Sequence, residues 1–158
     1  MRCVMLKKLI VLLLVVSVLP AAVPAKEGHK FGIGIAVGNP TGVDFKFWFN
    51  RRRAFDLALQ WKSDVQTYFH INYLFHDYKF VPKKGLSGDV PVYYGAGIHV
   101  LDAANVPAET GIRLVMGIDY LFDEMPVDIY AEIVPTVIIQ PNAGGMLAVC
   151  MGARYYFE

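Results

Sequence analysis

Apolar and polar side chains alternate along most of this sequence, and this period of two is the feature that most limits the possible folds. Residues two apart point to the same side of an extended strand, whereas an amphipathic helix needs apolar residues three and four apart. Clusters of Gly, Pro, Asn and Asp divide the alternation into eight runs: Phe31–Gly38, Val43–Phe49, Ala54–Trp61, Tyr68–Tyr78, Val92–Val100, Gly111–Phe122, Val127–Thr136 and Met146–Phe157. The pattern predicts an all-β protein of eight antiparallel strands.

The two faces of the predicted strands carry different chemistry. One face is apolar along the middle of nearly every strand, whereas the other mixes glycines and a few aromatics with charged residues and histidines. The latter include Asp44, Lys46, Asp56, His70, His99, Arg113, Asp119, Asp128, Glu132 and Arg154. Small residues among large polar ones are typical of a crowded barrel interior. An apolar outer face with a polar interior predicts an up-and-down transmembrane β-barrel, because only closed barrels satisfy a β backbone in hydrocarbon.

Length and composition exclude several other classes. The chain has 158 residues, which favours one domain. Its 55% hydrophobic content argues against disorder, and with only 18% charged residues it is too apolar for an ordinary soluble domain. Fifteen basic and 14 acidic residues leave a formal net charge of +1, so no nucleic-acid partner is expected.

Residues 1–25 have the features of a cleaved secretory signal peptide. Arg2, Lys7 and Lys8 precede an apolar run from Leu9 to Leu19, and small residues up to Ala25 follow. The run is too short for a transmembrane helix, which needs ~20 apolar residues. We therefore expect a signal peptide at 1–25 and a barrel domain at 26–158. Cleavage would leave Cys150 as the one cysteine of the mature chain, so an intramolecular disulfide is not expected.

Aromatic residues gather near the predicted strand ends on the side of the barrel that carries the chain termini. They are Phe31, Phe49, Phe55, Phe75, Tyr94, Tyr120, Tyr155 and Phe157. Such a belt is typical of a membrane interface. Trp61, Tyr68 and Phe69 predict a sparser belt at the opposite end.

The final segment, Met151-Gly152-Ala153-Arg154-Tyr155-Tyr156-Phe157, together with the eight-strand pattern, resembles the small OmpA/OmpX-type outer-membrane barrels. The resemblance covers residues 31–157 and implies a bacterial outer-membrane location. It also implies that Tyr155 and Phe157 form the signal read by the barrel-insertion machinery, although Glu158 departs from a terminal aromatic. The expected partners are outer-membrane lipids and that machinery, and the barrel is expected to be a monomer of porin-like shape. The connection Lys79–Pro91 is long for a periplasmic turn, whereas outward loops such as Asn39–Gly42 are short.

No catalytic, cofactor or metal site is predicted from the residues. The glycines of Gly32-x-Gly34-x-x-x-Gly38 lack dinucleotide-binding spacing and a following helix, so we expect them to clear space for Lys46 and Trp48. His70 and His99 share the interior face near one end, but zinc usually takes four ligands. Ser63 and Ser87 are the only serines after residue 25, and neither lies in a recognisable nucleophile motif.

Charges in a narrow interior are expected to pair. The Asn50–Arg53 turn predicts Lys46 opposite Asp56, and the last two strands predict Arg154 opposite Asp128. The run Arg51-Arg52-Arg53 is expected to be solvated or to meet anionic lipid headgroups.

Three functions remain open. The first is a non-enzymatic outer-membrane protein with a structural or surface-interaction role, for which any extracellular ligand is unknown. The second is a narrow gated pore for small solutes, lined by Lys46, Asp56, Arg113, Glu132 and Arg154. The third is a lipid-modifying enzyme that would use Ser63 and His70. The filled interior and the lack of a cofactor motif favour the first.

Overall fold

The structure is a computed structural model, and it describes residues 30–63, 66–82, 85–103 and 107–157. The predicted signal peptide and Glu158 lie outside the described residues. Eight long strands make up the fold: β1 (Phe31–Gly38), β2 (Thr41–Asn50), β3 (Arg53–Ser63), β4 (Gln66–Asp77), β5 (Val92–Ala103), β6 (Glu109–Phe122), β7 (Val127–Gln140) and β8 (Gly144–Phe157). The described part of the chain contains no helix long and apolar enough to cross a membrane.

The strands form one closed antiparallel barrel. Each strand pairs with its neighbours in the chain, and β8 closes the barrel against β1 over eight residue pairs, from Phe31 opposite Phe157 to Gly38 opposite Cys150. Closure pairs the edges that an open sheet would leave exposed. The predicted eight-stranded, up-and-down antiparallel barrel is therefore confirmed.

The strands are longer than predicted at the end of the barrel opposite the chain termini. We call this the distal end, and the end with the termini the proximal end. The predicted loop Gln140–Gly145 is shorter, because Ile138 pairs with Gly144 and Val137 with Gly145. Glycine and proline are turn signals in a sequence, and here glycines continue the ladder instead. The long proximal connection also holds a two-residue pairing that the sequence did not predict, with Gly88–Asp89 against β6.

The side-chain alternation is inside-out for a protein in water. Outward apolar residues are exposed or partly exposed around the wall, with Ile35 at 62%, Leu114 at 51% and Val149 at 62%. Inward residues are buried, including Lys46 at 0% and Arg154 at 2%. Buried aromatic and aliphatic residues pack among these charges in two clusters, around Tyr93 and around Trp48.

The proximal aromatic belt is present as a chain of outward ring contacts. Phe49 contacts Phe55 at 4.8 Å between ring centroids, and Phe75 stacks with Tyr94 at 5.9 Å. Across the closing strand pair, Phe31 lies 6.4 Å from Phe157. The prediction of the distal belt was wrong for one of its three residues. Tyr68 is 2% exposed and points inward, because it has the same strand parity as His70.

Candidate functional site

The candidate site is the interior of the barrel. The structure places all ten charged and histidine residues selected from the sequence on inward-facing positions, each no more than 6% exposed. They are Asp44, Lys46, Asp56, His70, His99, Arg113, Asp119, Asp128, Glu132 and Arg154. The alternation of each strand directs them inward, and the closed sheet brings residues from seven of the strands within reach of one another. We call these residues, with the polar side chains that they contact, the interior network.

Arg154 on β8 is the centre of the interior network. Its guanidinium donates to Asp44 at 2.5 Å, Asp56 at 3.1 Å and Asp128 at 3.3 Å. Its Cζ atom also lies 3.8 Å from the ring centroid of Tyr130. The predicted pair of Arg154 with Asp128 is present, and its partners on β2 and β3 were not predicted. A planar fork of N–H donors explains how one arginine can hold several carboxylates.

Lys46 forms a different pair from the one predicted. The register is as expected, with Lys46 directly opposite Asp56 on β3. The Nζ atom nevertheless reaches across the interior to Asp119 on β6, and it lies 4.0 Å from Asp128. The rings of Trp48 and Tyr93 line its path, at 4.5 and 5.1 Å from Nζ. Strand register positions Cα atoms, whereas a long side chain in a narrow lumen can select a partner on the opposite wall.

Asp56 connects the centre of the network to its distal half. Besides Arg154, it accepts a hydrogen bond from Asn72 at 2.9 Å and lies 3.2 Å from His70 Nε2. Asn72 Oδ1 in turn accepts from Arg113 Nε at 3.2 Å, and Arg113 donates to the Tyr68 hydroxyl at 2.6 Å. These contacts form one continuous polar path across β3, β4 and β6.

The three interior histidines each lie beside a carboxylate. His70 faces Asp56, His76 Nε2 is 3.2 Å from Asp119, and His99 Nε2 is 3.3 Å from Glu109. His70 and His99 are directly opposite on β4 and β5, as expected. No group of three or more possible metal ligands occurs among the described residues. The Nε2 atom of each ring therefore lies beside its own carboxylate, and the three rings are not arranged around a shared point.

The interior has more carboxylates than permanent cations. On the barrel strands five buried carboxylates face three buried cations, Lys46, Arg113 and Arg154. Bare charge in a low-dielectric interior is costly, so the excess must be offset locally. Protons on carboxylates would offset it. Outside the strands, burial raises the pKa of the Tyr78 hydroxyl and keeps it neutral.

The inward tyrosines and Asn72 belong to the interior network, although the sequence did not single them out as candidate site residues. Tyr130 donates to Asp44 at 2.9 Å, and Tyr156 donates to Asp128 at 2.6 Å. Tyr93 donates to Glu132 at 3.0 Å. Their strand parity, which matches that of the charged residues, was the available signal. Buried hydroxyls need partners, and the surplus of acceptors in this interior supplies them.

Glycines provide the space for these large side chains. A Cβ atom at Gly32 would lie 2.7 Å from the Tyr156 ring, and one at Gly34 would lie 2.7 Å from Arg154 Cγ. Both glycines thus clear space for β8. The expectation that they make room for Lys46 and Trp48 was wrong, because the atoms nearest to both Cβ positions belong to Tyr156, Ala153 and Arg154 of β8.

Of the two residues in the lipid-modifying hypothesis, His70 is the one whose side chain the structure describes. His70 is 3% exposed and its ring faces the interior, where Asp56 holds Nε2. The side chain of Ser63 lies outside the described residues. A histidine enclosed by the barrel wall has no path to an acyl chain outside it, so His70 is not positioned as a base for lipid substrates.

Replacing Tyr93 with Phe tests one hydroxyl of the network. The substitution removes the hydrogen bond from the Tyr93 hydroxyl to Glu132. Glu132 then keeps its contact with Arg113, whose Nη2 atom lies 3.9 Å away. We expect the free energy of unfolding to fall by about 1–3 kcal/mol, measured by denaturant titration of the folded barrel. Tyr94→Phe is the matched control, because Tyr94 is 54% exposed on the outer wall. An equal loss of stability in Tyr93→Phe and Tyr94→Phe would contradict a stabilising role for the hydrogen bond from Tyr93 to Glu132.

The closed barrel with a charged interior and an apolar wall defines the class of protein, an eight-stranded OmpA-type β-barrel fold. The chain is similar to the crystal structure of the N-terminal β-barrel domain of Pseudomonas aeruginosa OprF, with a TM-score of 0.56 and 12% sequence identity. The match covers 80% of this chain and 95% of that chain. No protein-family model and no curated protein matches the chain. At this identity the likeness concerns the fold.

Proposed function

We propose that the protein is an integral barrel of a bacterial outer membrane with a non-enzymatic, structural role. The observation that carries this is the contrast between an exposed apolar wall and a buried ionic interior. Large apolar patches in contact with water mark a surface that another apolar phase covers. Lipid acyl chains cover a closed barrel on all sides, as this wall requires. Interior ion pairs then tie opposite walls together and keep the lumen filled.

The two tryptophans of the chain test this proposal separately. Trp61 is outward and 47% exposed, whereas Trp48 is inward and 3% exposed. In vesicles of phosphatidylcholine brominated near the headgroup, we expect strong fluorescence quenching in Trp48→Phe, which retains Trp61. We expect weak quenching in Trp61→Phe, which retains Trp48. The reverse order, or no quenching of Trp61 in a folded sample, would contradict a membrane-spanning barrel.

Export and insertion follow from the same proposal. The N-terminal signal peptide would deliver the chain across the inner membrane, and the last strand would be read by the insertion machinery. Tyr155 and Phe157 are outward and 50% and 47% exposed, which supports their role as an accessible apolar signal. The substitution of both by Ser is expected to abolish the heat-modifiable folded form in outer-membrane fractions. Thr41→Ser, an outward change at the other end, is the control.

A narrow pore is the second candidate, and the continuous polar path through the interior favours it. A cavity of about 10 Å³, room for one water molecule, adjoins Arg113 and Glu132 at the distal mouth. Conduction would require the interior pairs to rearrange. Planar-bilayer recordings decide between the candidates: conductance whose selectivity changes sign in Lys46→Glu would establish a pore. Absence of conductance in a folded barrel would leave the structural role.

A further inference from the structure

The exposed cations among the described side chains lie at one end of the barrel. Lys46, Arg113 and Arg154 are buried in the interior. Among the side chains that the structure describes, which exclude that of Lys62, the other Lys and Arg residues all lie at the proximal end, and they are Lys30, Arg51, Arg52, Arg53 and Lys79. Four of these five, Arg51, Arg52, Arg53 and Lys79, are exposed, and they follow β2 and β4 or begin β3. We call these four residues the basic half-rim.

The opposite side of the same rim carries the other sign of charge. Asp123 and Glu124 are exposed in the turn between β6 and β7. On the basic side, Asp89 partly offsets Arg51, with Oδ2 at 3.5 Å from Nη2, but the Arg51 side chain remains 67% exposed. The two signs of charge are therefore separated on this rim, because the turn after β2 is basic and the turn after β6 is acidic. This separation gives one side of the barrel a local attraction for anions.

The basic half-rim adjoins the proximal aromatic belt. Arg53 begins β3 with the outward parity of Phe55, and its guanidinium lies 5.7 Å from the ring centroid of Phe75. Arg51 lies 4.8 Å from the ring centroid of Tyr78. Aromatic belts lie at the depth of the lipid headgroups. A guanidinium against such a ring keeps its N–H donors available at the level of the phosphates.

We propose that the basic half-rim binds the phosphate groups of anionic phospholipids in the leaflet at the proximal end. This rests on the proposed membrane-spanning function. Arginine at the surface of an anionic leaflet gains about fivefold in binding per charge. Arg53 points outward and contacts the aromatic belt, so its guanidinium lies at the depth of the lipid headgroups. This position favours a lipid phosphate, which is confined to that depth, over a soluble phosphate, which is not.

Spin-labelled lipids test the proposal in the reconstituted full-length barrel. The association of spin-labelled phosphatidylglycerol is compared with that of spin-labelled phosphatidylcholine in phosphatidylcholine bilayers. We expect the protein to prefer phosphatidylglycerol, and Arg52→Gln combined with Arg53→Gln to lower this preference by about fivefold or more. The matched control, Asp123→Asn with Glu124→Gln, removes two exposed charges from the other side of the rim and is expected to keep the preference.

The outcomes separate the two proposals and the two sources of phosphate. An immobilised phosphatidylcholine shell shows that the barrel spans the bilayer, and its absence in a folded sample would overturn the proposed function itself. A normal shell with equal affinity for both lipids, or a preference that the double substitution leaves unchanged, would overturn the basic half-rim alone. Millimolar inorganic phosphate that abolishes the preference at constant ionic strength would assign the site to soluble phosphate and overturn the lipid assignment.

Discussion

Replacing Arg154 with Met is expected to lower the free energy of unfolding by about 3–5 kcal/mol at neutral pH. Arg154 is 2% exposed and holds Asp44, Asp56 and Asp128, with Asp119 at 3.9 Å. Met keeps much of the side-chain volume but leaves these carboxylates without their shared cation. An uncompensated buried charge costs far more than a lost surface pair. Denaturant unfolding in lipid vesicles, followed by tryptophan fluorescence, measures the change.

The pH dependence of this variant has a definite sign. Acidic pH protonates carboxylates and so removes the uncompensated charge that the loss of Arg154 leaves in the interior. Stability then rises as the pH falls, and the gap between the variant and the parent protein narrows. Arg52→Met is the control, because Arg52 is exposed and its loss should change stability by less than ~1 kcal/mol. A gap that stays constant from neutral to acidic pH would contradict the ionic explanation.

Replacing Gly97 with Ala is expected to destabilise the barrel by about 1–3 kcal/mol. A Cβ atom at Gly97 would lie 2.1 Å from the backbone oxygen of Ile71 and 2.3 Å from Asn72 Oδ1. Relief would require β4 and β5 to separate and Asn72 to turn away. The second response breaks the hydrogen bonds of Asn72 to Asp56 and Arg113. One added methyl group would therefore disturb both the wall and the interior network.

Gly144→Ala supplies the comparison for this prediction. Gly144 is also a strand glycine, but the nearest atom to a Cβ there is Ile138 Cδ1 at 3.8 Å, an ordinary contact. We expect little loss of stability at Gly144, by the same unfolding measurement. If both substitutions lower stability equally, crowding of the interior is not the cause, and the explanation given for Gly97 is wrong.

Much of the wall could be predicted because alternation is a local property. Residues Val43, Phe45 and Phe47 report the outward face of β2 without any knowledge of its neighbours. Strand ends were less accurate where local signals conflict, as at Gly144 and Gly145, which continue β8 although glycine favours turns. Tyr68 was assigned to the outer belt by its type and position, and its strand parity would have placed it inside.

The sequence by itself determined the fold class and which side chains point inward, because both depend on a period of two along each strand. Only the tertiary structure decided the partners of those side chains. Lys46 reaches Asp119 rather than the facing Asp56, and Arg154 joins carboxylates from β2, β3 and β7. These contacts cross a closed lumen, so they depend on barrel closure and on the space left by glycines on neighbouring strands. Neither the closure of the barrel nor this space can be inferred from the register of a single strand pair.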